Sequence, residues 1–82
     1  MTNRQTGHYS GITVDKRGNI LATKTERGRS FIEVHRIEDQ ITFYIDSFAD
    51  KMKRPLGLIT TDEHVVYVCD LGNHSLKKYQ YK

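Results

Sequence analysis

The sequence predicts an all-β fold of seven short antiparallel strands, four in a first group and three in a second. Three observations carry that expectation. The apolar runs are short and rich in Val, Ile, Tyr, Phe and Thr, the residue types that fit a pleated, half-buried surface. Gly, Asn, Asp and Pro punctuate the runs as hairpin turns require. The pattern also returns: Ser10-Gly11-Ile12-Thr13-Val14-Asp15 resembles Leu56-Gly57-Leu58-Ile59-Thr60-Thr61, at a spacing of 46 residues from Gly11 to Gly57.

The strands are expected at about 10–15, 20–25, 31–37, 41–48, 56–61, 65–70 and 75–81. Between the first two, Asp15-Lys16-Arg17-Gly18-Asn19 reads as a hairpin turn, with Gly18 and Asn19 tolerant of positive φ. Ile20-Leu21-Ala22-Thr23 begins the second strand and Phe31-Ile32-Glu33-Val34 the third. The run 41–48, ITFYIDSF, is long enough for an edge strand with two partly apolar faces. Ala49 to Pro55 forms a longer crossing loop, and Pro55 stands where a strand can begin without an N–H. Val65-Val66-Tyr67-Val68-Cys69 repeats the second strand. Aligning Ile32 on Leu76 requires two extra residues in the first copy, between its second and third strands. Gly11 and Gly57 are expected on innermost strands, where backbone is crowded.

The chain has 82 residues, so it forms one small domain at most, and only 37% of them are hydrophobic. No run approaches the roughly 20 apolar residues of a membrane-spanning helix. The N-terminal Met1 to Thr6 lacks the apolar stretch of a secretory signal. A lone Cys69 cannot form an internal disulfide, and no Cys/His set has zinc spacing. These features suggest the cytoplasm. Cys69 reads as a small buried hydrophobe, and Tyr9, Phe43, Tyr44, Tyr67, Tyr79 and Tyr81 as packing residues between sheets. His8, His35 and His64 are scattered, so neither a metal nor another cofactor is expected.

Four strands and then three, at a period in the mid-forties, match the arithmetic of β-propeller blades. The segment 54–82, RPLGLITTDEHVVYVCDLGNHSLKKYQYK, resembles an NHL repeat through Pro55, Gly57, Tyr67, Val68, Asp70, Gly72, Asn73, His74, Leu76 and Tyr79. The first copy is weaker, with Gly11, Val14, Asp15, Gly18, Asn19 and Ile20; it has Lys24 and Glu26-Arg27-Gly28 where the second has its Asp and Asn-His. A WD-repeat propeller is less similar, since the chain has no Trp. The resemblance implies a first blade over 1–53, with an N-terminal lead-in, and a final three-stranded repeat over 54–82. Two blades cannot close a ring, because each buries its faces only against neighbours. The expectation is therefore the last part of a propeller of about six blades, begun at an internal or alternative Met1. The competing expectation is a curled sheet that self-associates to cover its faces.

Strand alternation sorts the loop charges onto two faces. Lys24, Glu26, Arg27, Arg29, Asp50, Lys51, Lys53, Arg54 and Asp70 fall at one end, a net +3; Asp15, Lys16, Arg17, Glu38, Asp39, Asp62 and Glu63 fall at the other, a net −3. The basic face is the candidate binding surface. Lys24, Arg27, Arg29, Lys51, Lys53 and Arg54 would hold phosphates or a protein partner, with Asn73 and His74 within reach of base edges. The competing reading makes Asn73 and His74 turn-stabilising elements beneath an Asp70 cap.

The resemblance is to the NHL domain that ends tripartite-motif (TRIM) ubiquitin ligases and related translational repressors. It implies a platform for a protein or an RNA, in ubiquitination or post-transcriptional regulation. Any ligase activity would lie in a RING domain outside these residues. The amidating lyase of peptide α-amidation is the enzymatic alternative, but it would need metal-binding histidines and disulfides. No catalytic residue is assigned, and no small-molecule substrate or membrane is implied.

Overall fold

In the computed structural model, residues 7–46, 51–61 and 63–81 are described. The fold is all-β. Strands β1 (Gly7–Val14), β2 (Ile20–Glu26), β3 (Arg29–His35) and β4 (Thr42–Ile45) form one antiparallel sheet in chain order. Strands β5 (Pro55–Thr60), β6 (Val65–Asp70) and β7 (Ser75–Gln80) form a second. This is the architecture of partial propeller blades. A 3₁₀ turn, Leu71–Asn73, links β6 to β7.

The expected strands are all present, with shifted ends. β1 begins three residues early, because Tyr9 already pairs with Lys24 and the register then slips at Ser10 to place Gly11 opposite Thr23. The second sheet slips in the same place, between Pro55 and Leu58. β3 begins at Arg29, where the turn at Arg27-Gly28 releases the chain. β4 is shorter than 41–48, and residues 47–50, with Asp50 among them, lie outside the described residues, as do Asp62 and the lead-in 1–6. The turn at 15–19 forms as expected, but only Gly18 takes positive φ. Asn19 is buried instead and serves as a brace: its amide Nδ2 donates to Asp15 and its Oδ1 accepts from Ile37 N–H.

The two extra residues expected in the first copy are there. Thr23 faces Ile32 across β2–β3, and Cys69 faces Leu76 across β6–β7, yet the first turn is two residues longer. The sheets stack with β1 beside β5. Leu21, Ile32 and Val34 from the first sheet meet Val66 and Val68 from the second, with Met52 and Tyr81 closing the core. Phe43, Leu58 and Tyr79 pack at its margin. The resulting body measures 37 × 32 × 19 Å, and the short dimension suits two sheets stacked about 10 Å apart.

Gly11 sits at a close approach of the two sheets, since a Cβ there would overlap the Leu56 carbonyl oxygen. Beside it Ser10 Oγ donates to the Pro55 carbonyl at 2.6 Å and meets Thr23 Oγ1 at 2.8 Å. At the far end of the stack, Tyr81 donates its hydroxyl to buried Asp15 at 2.7 Å, while the Arg17 and Asn19 amides donate to the other oxygen. Burial alone would raise the Asp15 carboxyl, but these donors outweigh it and hold the group below its usual value. Burial and the same hydrogen bond push the Tyr81 phenol well up.

Three sequence expectations about packing need correction. Cys69 is exposed, because it lies on the face of β6 that points away from the first sheet. Tyr9 and Tyr44 are also exposed rather than packed between the sheets. Gly57 lies on β5, the strand beside β1, yet among the described residues no atom beyond its chain neighbours lies within 4 Å of the position its Cβ would take.

Candidate binding surface

The site begins with Asp70. It ends β6, is fully buried, and gathers the loop that crosses between the sheets. Its carboxylate accepts the Arg54 N–H at 2.8 Å, the Lys53 N–H at 3.1 Å and the Asn73 side-chain amide at 2.7 Å. The Lys77 ammonium stands 3.9 Å away. Burial would raise this carboxyl, but the two backbone donors, Asn73 and Lys77 together hold it below its usual value. Asn73 also donates to the Lys51 carbonyl at 2.8 Å, and Leu71 N–H donates to the Arg54 carbonyl at 3.0 Å. The loop from Lys51 to Arg54 is thus pinned along its backbone, with Met52 turned into the core and the side chains of Lys51, Lys53 and Arg54 left to project outward.

Lys51, Lys53 and Arg54 are exposed. The loop runs against the β2–β3 turn, since Met52 bridges to Ser30 and a small cleft joins Gly28 and Arg29 to Lys51 and Met52. Arg27 occupies the left-handed region at the tip of that turn and is exposed. Arg29 forms an ion pair with Asp46. His74, also left-handed, is exposed at the start of β7. Seven of the eight sequence candidates, Arg27, Arg29, Lys51, Lys53, Arg54, Asn73 and His74, therefore gather at one end of the sheets.

Lys24 does not join them. It lies on the outer face of β2, 3.9 Å from Glu33, 3.8 Å from Glu26 and over the Tyr9 ring. Its position explains the weak first repeat. Lys24 stands in the register position of Asp70, and Glu33 in that of Lys77. Each sheet keeps the cross-strand ion pair, with its polarity reversed.

The charge contrast between the two ends is milder than expected. Among the described residues, the basic end sets Arg27, Arg29, Lys51, Lys53 and Arg54 against exposed Asp46 and half-buried Glu26. At the opposite end Arg36 grips Asp39 at 2.7 Å and softens the acidic side.

Sequence reasoning missed one part of the surface. Arg27 and Arg29 line a groove of about 390 Å³ with Glu26, Phe31, Tyr44 and Asp46. Phe31 and Tyr44 meet edge to face, ring centres 5.3 Å apart, on the outer side of β3 and β4. Strand alternation places both rings on that side, but only the pairing of Glu33 with Tyr44 shows that they are neighbours. Among the described residues no cluster of His, Cys, Asp or Glu could hold a metal ion.

The chain is 27% identical over 81 residues to NHL-repeat-containing protein 4 of Mus musculus, covering 99% of this chain and 56% of that protein. The likeness supports an NHL repeat. The chain spans little more than half the length of this curated relative. No protein-family model matches the chain, and no solved structure matches it. A repeat-based binding module, rather than a catalytic unit, is the class of protein to which the relative points.

Proposed function

We propose that the two sheets are NHL-type blades, over 1–53 and 54–82, and that their basic loop end is a platform for single-stranded or stem-loop RNA. The observation that carries the reading is the adjacency of two features. Exposed cations from two loops, Arg27, Lys51, Lys53 and Arg54, lie next to a groove walled by arginines and the Phe31–Tyr44 pair. Phosphates favour the first and a stacked base the second. Asn73 and Asp70 hold the platform in shape, so their part is positioning rather than base reading. The TRIM-type resemblance adds a setting: a cytoplasmic module in post-transcriptional regulation or ubiquitination, with no chemistry of its own.

Fluorescence anisotropy of labelled RNA across a salt series tests this. Affinity should fall steeply with salt. Removing the charges of Arg27, Lys51, Lys53 and Arg54 should flatten the slope by about 0.7 for each phosphate that is no longer neutralised. Tyr44→Ala should weaken binding by roughly 1–3 kcal/mol without changing the slope. Salt-insensitive binding, or binding unchanged by both sets, would overturn the RNA reading and favour a protein partner on this surface.

A further inference from the structure

The chain carries both halves of its own inter-sheet interface a second time, and both are uncovered. The two registers align residue for residue: Gly11 with Gly57, Thr23 with Cys69, Ile32 with Leu76. In the first sheet Thr23 and Ile32 are wholly buried under the second. Their counterparts Cys69 and Leu76 lie on the second sheet's outer face, with Leu76 71% exposed. The other half behaves alike. Val66 is wholly buried and Leu58 packs against the core, whereas their counterparts Ile20 and Ile12 are exposed on the first sheet's outer face, Ile12 to 71%.

The glycines sharpen the point. Gly11 lacks a side chain because the Leu56 carbonyl occupies that space. Gly57 offers the same space, and nothing among the described residues fills it. A glycine in a strand is a cost unless something approaches closely. By register the group that would fill it is the backbone of Ser10, the counterpart of Leu56: its hydroxyl turns inward to Pro55, but the residue also lines the cleft with Ile12 and Ile20 on the first sheet's outer face.

We propose that a second copy of this chain docks head to tail, its first sheet covering the outer face of the second sheet. Such a heterologous contact repeats until it closes, and propellers of about four to eight blades correspond to rings of two to four copies. The inference rests on reading the sheets as blades and is independent of what the loops bind. Lys78 stands in the position of Val34, which shares a cavity with Tyr81. The counterpart of Tyr81 is Ile37, so the incoming copy brings Ile37 towards the side of Lys78. The aromatic groove stays open in this arrangement: Ser75, the counterpart of Phe31, remains exposed although the first sheet covers that side.

The test uses the full chain in sedimentation equilibrium and native mass spectrometry. The expected result is a closed species of two to four copies. Gly57→Leu, which blocks one half, and Ile12→Glu, which blocks the other, should each give a folded monomer with unchanged far-ultraviolet circular dichroism. Mixing those two variants should restore a single good interface and give a one-to-one pair that grows no further. Cys69, the chain's one cysteine, supplies an independent readout. Its alkylation should slow about tenfold when the free chain is at about ten times the dissociation constant, and should stay fast in Gly57→Leu. A wild-type chain that remains monomeric at high concentration would overturn the proposal and leave further blades or another protein to cover these faces. A dimer that survives Gly57→Leu would overturn it in favour of a two-fold contact between like faces.

Discussion

At the scale of single residues, Asp70 does the most for the candidate surface. A buried carboxylate with three hydrogen-bond donors and a nearby ammonium organises the whole crossing loop. Replacing it with Asn removes the charge and turns one acceptor into a donor facing other donors. The expected loss is roughly 1.5–3 kcal/mol, read from denaturant unfolding. The pH dependence follows from the direction of the shift. A carboxyl held below its unfolded value of about 3.9 contributes its full stabilisation above that value. The contribution fades as pH falls through the lower folded value. Stability should therefore be level from pH 7 to about 5 and drop below about 4, with a smaller drop in Asp70→Asn. Asp15 and Glu33 are shifted the same way and will steepen the acid limb in both proteins. Gly11→Ala should be worse tolerated than Gly57→Ala in the monomeric chain. The first must part the sheets at the Leu56 carbonyl and should cost about 1–3 kcal/mol; the second meets open space.

At the scale of the elements, each sheet holds its second and third strands together with one ion pair, Lys24–Glu33 or Asp70–Lys77. Glu33 accepts further hydrogen bonds from Tyr9 and His35, the first at 2.7 Å. Burial would raise its carboxyl, and these partners hold it low. Lys24→Glu alone sets two carboxylates against each other and should destabilise. Adding Glu33→Lys restores the polarity of the second sheet, and a double-mutant cycle should return a favourable coupling of about 0.5–3 kcal/mol. This pairing also shows what the sequence conceals. The strands and the two-residue offset are legible because Gly11, Gly57 and the β-branched runs keep their spacing. The pairing of Lys24 with Glu33 is not, because a motif written as Asp followed by Asn-His has no place for a Lys that does the same work from the other side.

At the scale of the whole molecule, the fold class and the location of the basic end can be read from hairpin connectivity alone. A meander sends alternate loops to the same end, whatever the side chains. Exposure cannot be read that way. A Val-rich strand predicts a buried Cys69, but which face of that strand is covered depends on which sheet lies beside it. The same dependence places Tyr44 beside the arginines instead of in the core. Ion pairs such as Arg29–Asp46 and Arg36–Asp39 join residues that strand alternation assigns only to an end, so they trim the charge contrast without changing where the cations gather.

The reversed polarity of the two ion pairs has a consequence for how the chain finds its fold. Two similar repeats in one chain invite misassembly, in which the second strand of one pairs with the third strand of the other. Here that error would bring Lys24 against Lys77, or Asp70 against Glu33, in a buried setting. Like charges out of water are far more costly than a mismatched apolar pair. The two pairs therefore act as opposite keys, each admitting its own partner strand. The same rule would disfavour a hybrid repeat formed by recombination between the copies, since it would inherit one lock from each.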